Sequence, residues 1–369
     1  MVADSEHDAN MLYATGMFVP DAFVYFRSKG RSYVVMSDLE IDRARRQANG
    51  CQVLSLSRYQ RQLRKSGIKR PQLADLIAAI LRPRGIRRWI VPGDFPYGLA
   101  KELQRRHLRA KPKRGSFWPE REFKSAEEIR KITAALRIAE AGMAEAMRAL
   151  RSAKIDRNRR LLYGGVPLTS EKLRALIDTA ILQAGGSASH TIVAGGKQAC
   201  DPHEPGHGPL RADEPIILDI FPRSQQTGYF GDITRTVVRG RASEAIRRLY
   251  DTVLRGQELA FEQMRAGTKT AEVHKTVEKY FKQQGYRTGR RKGRMQGFFH
   301  GTGHGLGLEI HEPPRTGENS PGKLKAGQVI TVEPGLYYPG LGGVRIEDVA
   351  VVTEDKPRNL TRFEKVLEI

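Results

Sequence analysis

Four carboxylates stand inside or beside apolar, β-prone runs. They are Asp219 in Ile-Ile-Leu-Asp-Ile, Asp232 in Gly-Asp-Ile-Thr-Arg-Thr, Glu333 in Val-Ile-Thr-Val-Glu-Pro-Gly and Glu347 in Gly-Val-Arg-Ile-Glu-Asp. Runs of this kind are driven into a core, and a carboxylate carried in ionised and unpaired costs on the order of several kcal/mol. Positive charge must therefore lie beside them. Arg345 shares a strand face with Glu347, as Thr331 does with Glu333 and Thr234 with Asp232. It could hold Asp232 or a substrate carboxylate by a bidentate pair, or neutralise the buried acids. A pair of divalent cations answers the demand better, because four carboxylates balance two M²⁺ and one imidazole completes an oxygen-rich shell. Three histidines, His300, His304 and His311, lie in Phe-Phe-His-Gly-Thr-Gly-His-Gly-Leu-Gly-Leu-Glu-Ile-His. Two ions in such a site activate a bridging water and polarise a carbonyl, which is the chemistry of hydrolysis.

The elements that must position these groups come twice. Ser125-Ala-Glu-Glu128 is a capping box, and Ile129, Ile132, Leu136, Ala139, Met143, Met147 and Leu150 follow at helical spacing. A second helix runs from Thr169 to Gly185, and strands are expected over 191–194, 215–221 and 229–238. Then Ser243 caps a helix running to Gly267, Thr270 caps another ending at Gly285, and strands return over 328–332 and 344–352. In each half two helices precede an acid, a loop and a second acid. Asp219 and Asp232 are 13 positions apart, Glu333 and Glu347 14. The pattern predicts a pseudo-twofold duplication, with one acid pair from each half at the junction. Residues 1–115 read as a smaller α/β domain, with a hairpin about Ser28-Lys29-Gly30-Arg31, further strands over 53–56 and 87–91, and helices over 38–47, 71–81 and 97–107. Residues 116–369 form the domain that carries the acids.

These residues resemble the M24 metallopeptidases, the pita-bread family that includes methionine aminopeptidase, aminopeptidase P, prolidase and creatinase. The match is Asp219, Asp232, His304, Glu333 and Glu347, in the family's order. The frames GHGLGLEIHE and GGVRIED look most like its Xaa-Pro branch, and Asp8-Ala-Asn-Met-Leu-Tyr-Ala-Thr-Gly resembles the opening of that branch's N-terminal domain. The resemblance implies an α+β pita-bread domain of two pseudo-symmetric halves. It implies that Asp219 chelates one ion, Asp232 and Glu347 bridge two, and His304 and Glu333 complete the second, Glu333 also taking the water's proton. Mn²⁺ is the expected metal, with Co²⁺ and Zn²⁺ also suited. It further implies that His203 contacts the scissile amide, with His207 competing for the role, that His300 helps bind the proline end, and that His311 meets the carbonyl or oxyanion. The implied activity is an aminopeptidase cutting the Xaa-Pro bond of short peptides by a metal-bridging hydroxide, with a prolidase acting on dipeptides as the alternative. A homodimer is implied too. One departure stands out. The family has Asp-x-Gly after the first acid, whereas Asp219-Ile-Phe-Pro-Arg-Ser-Gln-Gln-Thr-Gly carries a longer polar hairpin, which leaves the rim of the site open.

Bulk composition bounds the rest. Across 369 residues, 39% are hydrophobic and 28% charged, values ordinary for a globular protein. No apolar run reaches membrane-spanning length, and no basic segment followed by an apolar one opens the chain. Cys51 and Cys200 are too few and too scattered for a disulfide framework, so a cytoplasmic setting is expected. The outlier is a net charge of +22 and a pI near 10.1. A solvated basic surface is the plain reading. A pita-bread module that binds nucleic acid without catalysis is the lesser one. The densest cluster, RTGRRKGR at 287–294, reads as an exposed loop. His7, His107 and His274 read as structural, Tyr229 as core packing or pocket lining, and Cys200 as incidental.

Overall fold

The computed structural model describes all 369 residues, in two compact units, Met1–Arg121 and Glu122–Ile369.

The first unit holds β1 (Val2–Ala3), α1 (Ala9–Thr15), β2 (Phe23–Ser28), β3 (Arg31–Met36), α2 (Ile41–Gln47), β4 (Cys51–Ser55), α3 (Leu56–Lys65), α4 (Leu73–Leu81), β5 (Arg88–Val91), α5 (Tyr97–Arg105) and β6 (Arg109–Pro112). Asp8 caps α1 by accepting the Met11 N–H, and Gly16 ends it in the left-handed region. One sheet has the order β1-β2-β3-β4, and β5 pairs with β6 apart from it. The sequence reading of an extended 53–56 missed α3. The Ser55 side chain accepts the Arg58 N–H and turns the end of β4 directly into a helix.

The second unit begins with α6 (Ala126–Ser152), whose capping box at Ser125 and Glu128 forms as expected. A small meander, β7 (Lys154–Ile155), β8 (Leu161–Tyr163) and β9 (Val166–Pro167), leads to α7 (Ser170–Gln183), capped by Thr169. Gly142 lets the two helices close, since a Cβ there would lie 2.9 Å from the Ile181 side chain. Next come β10 (Gly186–Ser187), β11 (Ile192–Gly195), β12 (Ile216–Ile220), β13 (Arg223–Ser224) and β14 (Ile233–Val237). The second half repeats the plan with α8 (Glu244–Gln263), α9 (Thr270–Gln283), β15 (Gly289–Arg291), β16 (Arg294–Gln296), β17 (Gly303–Gly305), β18 (Glu312–Thr316), β19 (Val329–Val332), β20 (Gly335–Tyr338), β21 (Gly342–Arg345), β22 (Asp348–Val351) and β23 (Arg358–Asn359). The first half's sheet is β11-β12-β14. The second half's is β18-β17-β19-β22-β23, in which β17-β19-β22 repeats the same antiparallel order. Each sheet packs on its own helix pair, α6 and α7 against Leu218, Ile220 and Ile233, α8 and α9 against Ile330, Val332 and Ala350.

Four local readings need correction. The strand expected over 344–352 is two, β21 and β22, which lie in different sheets and leave Ile346 and Glu347 at the corner between them. The strand expected from Tyr229 starts at Ile233. Gly231 passes so near α6 that a Cβ would sit 2.3 Å from the Ala135 carbonyl, and the chain is held off the sheet there. Thr270 does not cap α9 but is its first residue, and its hydroxyl donates to loop carbonyls including that of Ser320. The 287–294 cluster is a hairpin, β15 against β16.

The halves are knitted along a seam. The Glu347 N–H donates to the Thr234 carbonyl at 3.0 Å, and the Thr236 hydroxyl donates to the Arg345 carbonyl at 2.9 Å while accepting the Arg345 N–H. Arg235, 1% exposed, donates to the Glu347 carbonyl, to Asp348 Oδ1 and to the carbonyls of Phe363 and Glu364.

Candidate metal centre

Asp219 sits within a strand ladder, and the other three acids sit where a strand begins or ends. Asp219 lies on β12 between Ile192 and Thr234, and alternation points it away from core-facing Leu218 and Ile220. Asp232 immediately precedes β14, and Glu347 immediately precedes β22. Glu333 follows β19 and is stopped there by Pro334. His304 lies on β17. Gly303 before it touches β19 so closely that a Cβ would fall 1.8 Å from the Thr331 carbonyl, so the glycines of this segment answer to packing. The His304 N–H donates to Thr331 Oγ1, and Nδ1 lies 3.1 Å from the Gly305 carbonyl, which leaves Nε2 for the acids. Nε2 is 3.4 Å from Glu333 Oε1 and 3.7 Å from Asp232 Oδ2. Ligand atoms of Asp232, His304 and Glu347 lie within 4.8 Å of one another, and all three side chains are buried. The Thr234 hydroxyl donates to Glu347 Oε2 at 2.8 Å.

The electrostatics are those of crowded, dehydrated acids. Burial, then repulsion from Glu347 and Asp219, holds the Asp232 carboxyl well above the usual carboxylate range. Burial, then Glu333 and Asp219, does the same to Glu347. Burial lifts Glu333 to about 7, against the pull of Arg345. Burial drops His304 to about 3, so its imidazole is neutral and able to ligate. Four carboxylates and a neutral imidazole with one arginine among them form a donor set that fits hard divalent cations.

That arginine is committed elsewhere than expected. Arg345 Nη2 donates to Asp219 Oδ2 at 2.7 Å, not to Asp232, and Nη1 donates to the Tyr337 hydroxyl at 2.9 Å. Its Nε points at Thr234 Oγ1, 3.5 Å away, so each of its three nitrogens already has a protein partner, and the side chain is buried. The Tyr337 hydroxyl lies 2.8 Å from His300 Nε2, and His300 Nδ1 lies 2.8 Å from the Gly301 carbonyl. The carbonyl needs a proton on Nδ1, so Nε2 accepts from the tyrosine. Burial and the Arg345 charge lower His300 to about 3.

A cavity of about 680 Å³ gathers these groups. His203, His300, His304 and His311 line it with Asp219, Asp232, Glu333, Arg345 and Glu347. His311 is exposed, and its ring lies 4.4 Å from that of His304. His207 is outside this cavity, exposed, with Nδ1 3.5 Å from Glu204 Oε1. Tyr229 is buried away from it, its hydroxyl donating to Glu128. His274 is a buried structural residue, Nδ1 3.0 Å from the Thr302 hydroxyl.

Two residues escaped the sequence reading, Tyr337 buried behind the cavity wall and Arg315 on it. Tyr337 keeps the parity of Thr331 and Glu333, but Pro334 reads as a strand end, so the alternation was not carried onto β20. Arg315 lies opposite His304 on β18 and lines the cavity. Pro313-Pro314 argues against a strand, yet an edge strand tolerates proline. A further missed link is the buried ion pair of Lys124 Nζ with Glu312 Oε1 at 2.5 Å, which ties the start of the unit to β18.

Duplicated halves of two helices and an antiparallel sheet, meeting over buried carboxylates and a histidine, define the pita-bread class. The model of metallopeptidase family M24 matches residues 130–354, and the chain belongs to that family. It is 34% identical over 181 residues to the Xaa-Pro dipeptidase of Pyrococcus furiosus, a match spanning 49% of each chain, about half the length of that relative. It is 29% identical over 288 residues to that of Pyrococcus horikoshii, covering 77% of this chain and 75% of the other. A solved Xaa-Pro dipeptidase from Bacillus anthracis superposes with a TM-score of 0.83 at 25% identity, over 98% of this chain and 93% of that one. No helix is long and apolar enough to cross a membrane.

Proposed function

We propose that the chain is an Xaa-Pro dipeptidase, with Asp219, Asp232, His304, Glu333 and Glu347 holding two divalent ions. Mn²⁺, Co²⁺ and Zn²⁺ all suit these donors. Bound there, the ions would supply an activated water and a Lewis-acid contact for the scissile carbonyl. Asp232, His304 and Glu347 are the tightest set. Asp219 gives one oxygen to Arg345 and keeps Oδ1 for a cation. Glu333, at the cavity floor beside His304, is placed to take a proton and return it to the leaving nitrogen. That nitrogen needs one, because the bond before proline is a tertiary amide whose leaving group is a bulky secondary amine. His203 and His311 are candidates for donating an N–H to the peptide carbonyl or its oxyanion. The Tyr337 contact and the Gly301 carbonyl fix the ring of His300 at the cavity wall. Ile192, Phe221, Phe299 and Ile310 give the same cavity an apolar side.

The dipeptide preference rests on Arg315. Its side chain is exposed at the cavity, and it makes no ion pair with a protein carboxylate. With Arg345 bound to Asp219, Arg315 is the cation left to receive the free carboxylate of a C-terminal proline. A longer peptide would present a neutral amide there. The names of the relatives support this reading over the aminopeptidase acting on longer peptides. Arg315→Met tests it. Loss of a charged hydrogen bond of about 1.5–3 kcal/mol lowers kcat/KM on Xaa-Pro by roughly 10- to 150-fold. The same change should leave Xaa-Pro-amide hydrolysis nearly untouched. Equal losses on both substrates would refute the assignment.

A further inference from the structure

Dipeptide hydrolysis gives no reason for a net charge of +22, and the excess has a focus. Residues 279–308 contain neither Asp nor Glu. From residue 275 to residue 294, eight cations meet one acid, Glu278. Lys275, Lys279 and Lys282 recur at four- and three-residue spacing along one exposed face of α9. The β15–β16 ribbon follows, with Arg287, Arg290, Arg291, Lys292 and Arg294 all exposed.

The ribbon is built against its own comfort. Lys292 and Gly293 form its two-residue turn with φ of 50° and 79°, the primed geometry of tight hairpins. Asparagine, aspartate or glycine suits the first of those positions, and lysine does not. Arg291 pairs directly across from Arg294, and like charges placed opposite one another destabilise a strand pair. None of the five makes an ion pair with a protein carboxylate. The one side-chain hydrogen bond that binds them to the hairpin runs from Arg290 Nη1 to the Gly293 carbonyl at 3.1 Å. At its base the ribbon is fixed, the Gly297 N–H donating to the Tyr337 carbonyl and Thr288 Oγ1 to that of Phe298. A self-repelling array of cations, anchored at its base and paired with no carboxylate, has an external anion as its natural complement.

We propose that this ribbon, with the lysine face of α9, is a docking surface for the phosphate backbone of double-stranded nucleic acid. A two-stranded ribbon fits a duplex groove. Between residues 287 and 296 there is no aromatic side chain on which an unpaired base could stack, so the contact is with the backbone and indifferent to sequence. The same stretch has one long apolar side chain, the half-buried Met295, which provides neither a wedge for a lipid surface nor the apolar centre of a protein interface. No residue of the ribbon or of the α9 lysine face lines the carboxylate cavity.

The test is fluorescence anisotropy of the full chain with a labelled duplex of about 20 base pairs in arbitrary sequences, over a salt series. Affinity should fall linearly in a log–log plot, with a slope of about 0.9 per phosphate contact. The triple variant Arg290→Ser, Arg291→Ser, Arg294→Ser should bind at least about tenfold more weakly at low salt, with a slope smaller by up to about 2.7. The triple change of the same arginines to lysine should bind like the parent, and both triples should cleave Xaa-Pro at the parent rate. Parent-like binding by the serine triple, insensitivity to salt, or tighter binding to phosphatidylserine vesicles than to the duplex would each overturn the proposal. So would loss of binding in the lysine triple, which keeps the charge and would point to a structural role.

Discussion

Where the first half sets Asp219 within a strand ladder, the second sets Glu333 just past one, and each half starts its next strand directly after the second acid. The strand counterpart of His304-bearing β17 in the first half is β11, whose Ile-Val-Ala-Gly sequence offers no donor. The first half supplies negative charge and hydroxyls. The second supplies negative charge, the imidazole, and through the β20–β21 hairpin the Tyr337–Arg345 pair that reaches back to Asp219. Duplication gives the site its symmetry of charge, and divergence in one copy gives it a neutral ligand and a fixed proton network.

Removing charge from either half should break the site alike. Asp232→Asn and Glu347→Gln should each lower Xaa-Pro hydrolysis by at least about a thousandfold, with matching loss of bound metal by mass spectrometry and an unchanged far-ultraviolet spectrum. If one of them kept its metal, the halves would not be equivalent in charge. The second half's own strap comes next. Lys124→Met takes the ammonium from the buried Glu312 and should destabilise the unit by about 3–5 kcal/mol in denaturant melts, whereas Arg159→Met, which removes the exposed Arg159–Asp213 ion pair of the first half, should cost under about 1 kcal/mol. Tyr337→Phe removes the hydroxyl shared by His300 and Arg345 and should lower kcat/KM by about tenfold. The smallest effect concerns pH. Burial lowers His274 below its ordinary value, opposed by Glu278 and Glu318. A histidine kept neutral by folding contributes stability above its unfolded pKa near 6.5 and loses it as pH falls below that. Melts between about pH 7 and pH 5 should therefore fall less steeply in His274→Gln, by under about 1 kcal/mol.

Most of the centre could be read from the chain because its acids are embedded in runs with one structural meaning. Ile-Ile-Leu-Asp-Ile has to be a strand, and an acid there has to meet a cation. The duplication was legible for a similar reason, since helix caps such as Ser125 and Thr169 declare themselves locally. What stayed hidden depends on partners distant in sequence. Arg345 could have reached several acids, and the register of β20 against β21 brings it to Tyr337. Arg315 is disguised by two prolines, and α3 by a strand that runs into it without a break. The corner at Ile346 and Glu347 is invisible to alternation, which assumes that a strand stays in its sheet.

The guanidinium of Arg235 has a consequence for motion. It belongs to the first half and keeps one acceptor there, the Thr234 carbonyl, but its other partners belong to the second half and the tail: the Glu347 carbonyl, the Asp348 carboxylate and the Phe363 and Glu364 carbonyls. Swinging the halves apart would break four of the five hydrogen bonds of this buried charge at once. The joint between them is therefore a weld and not a hinge, and any breathing that admits a peptide must come from the loops around the cavity mouth.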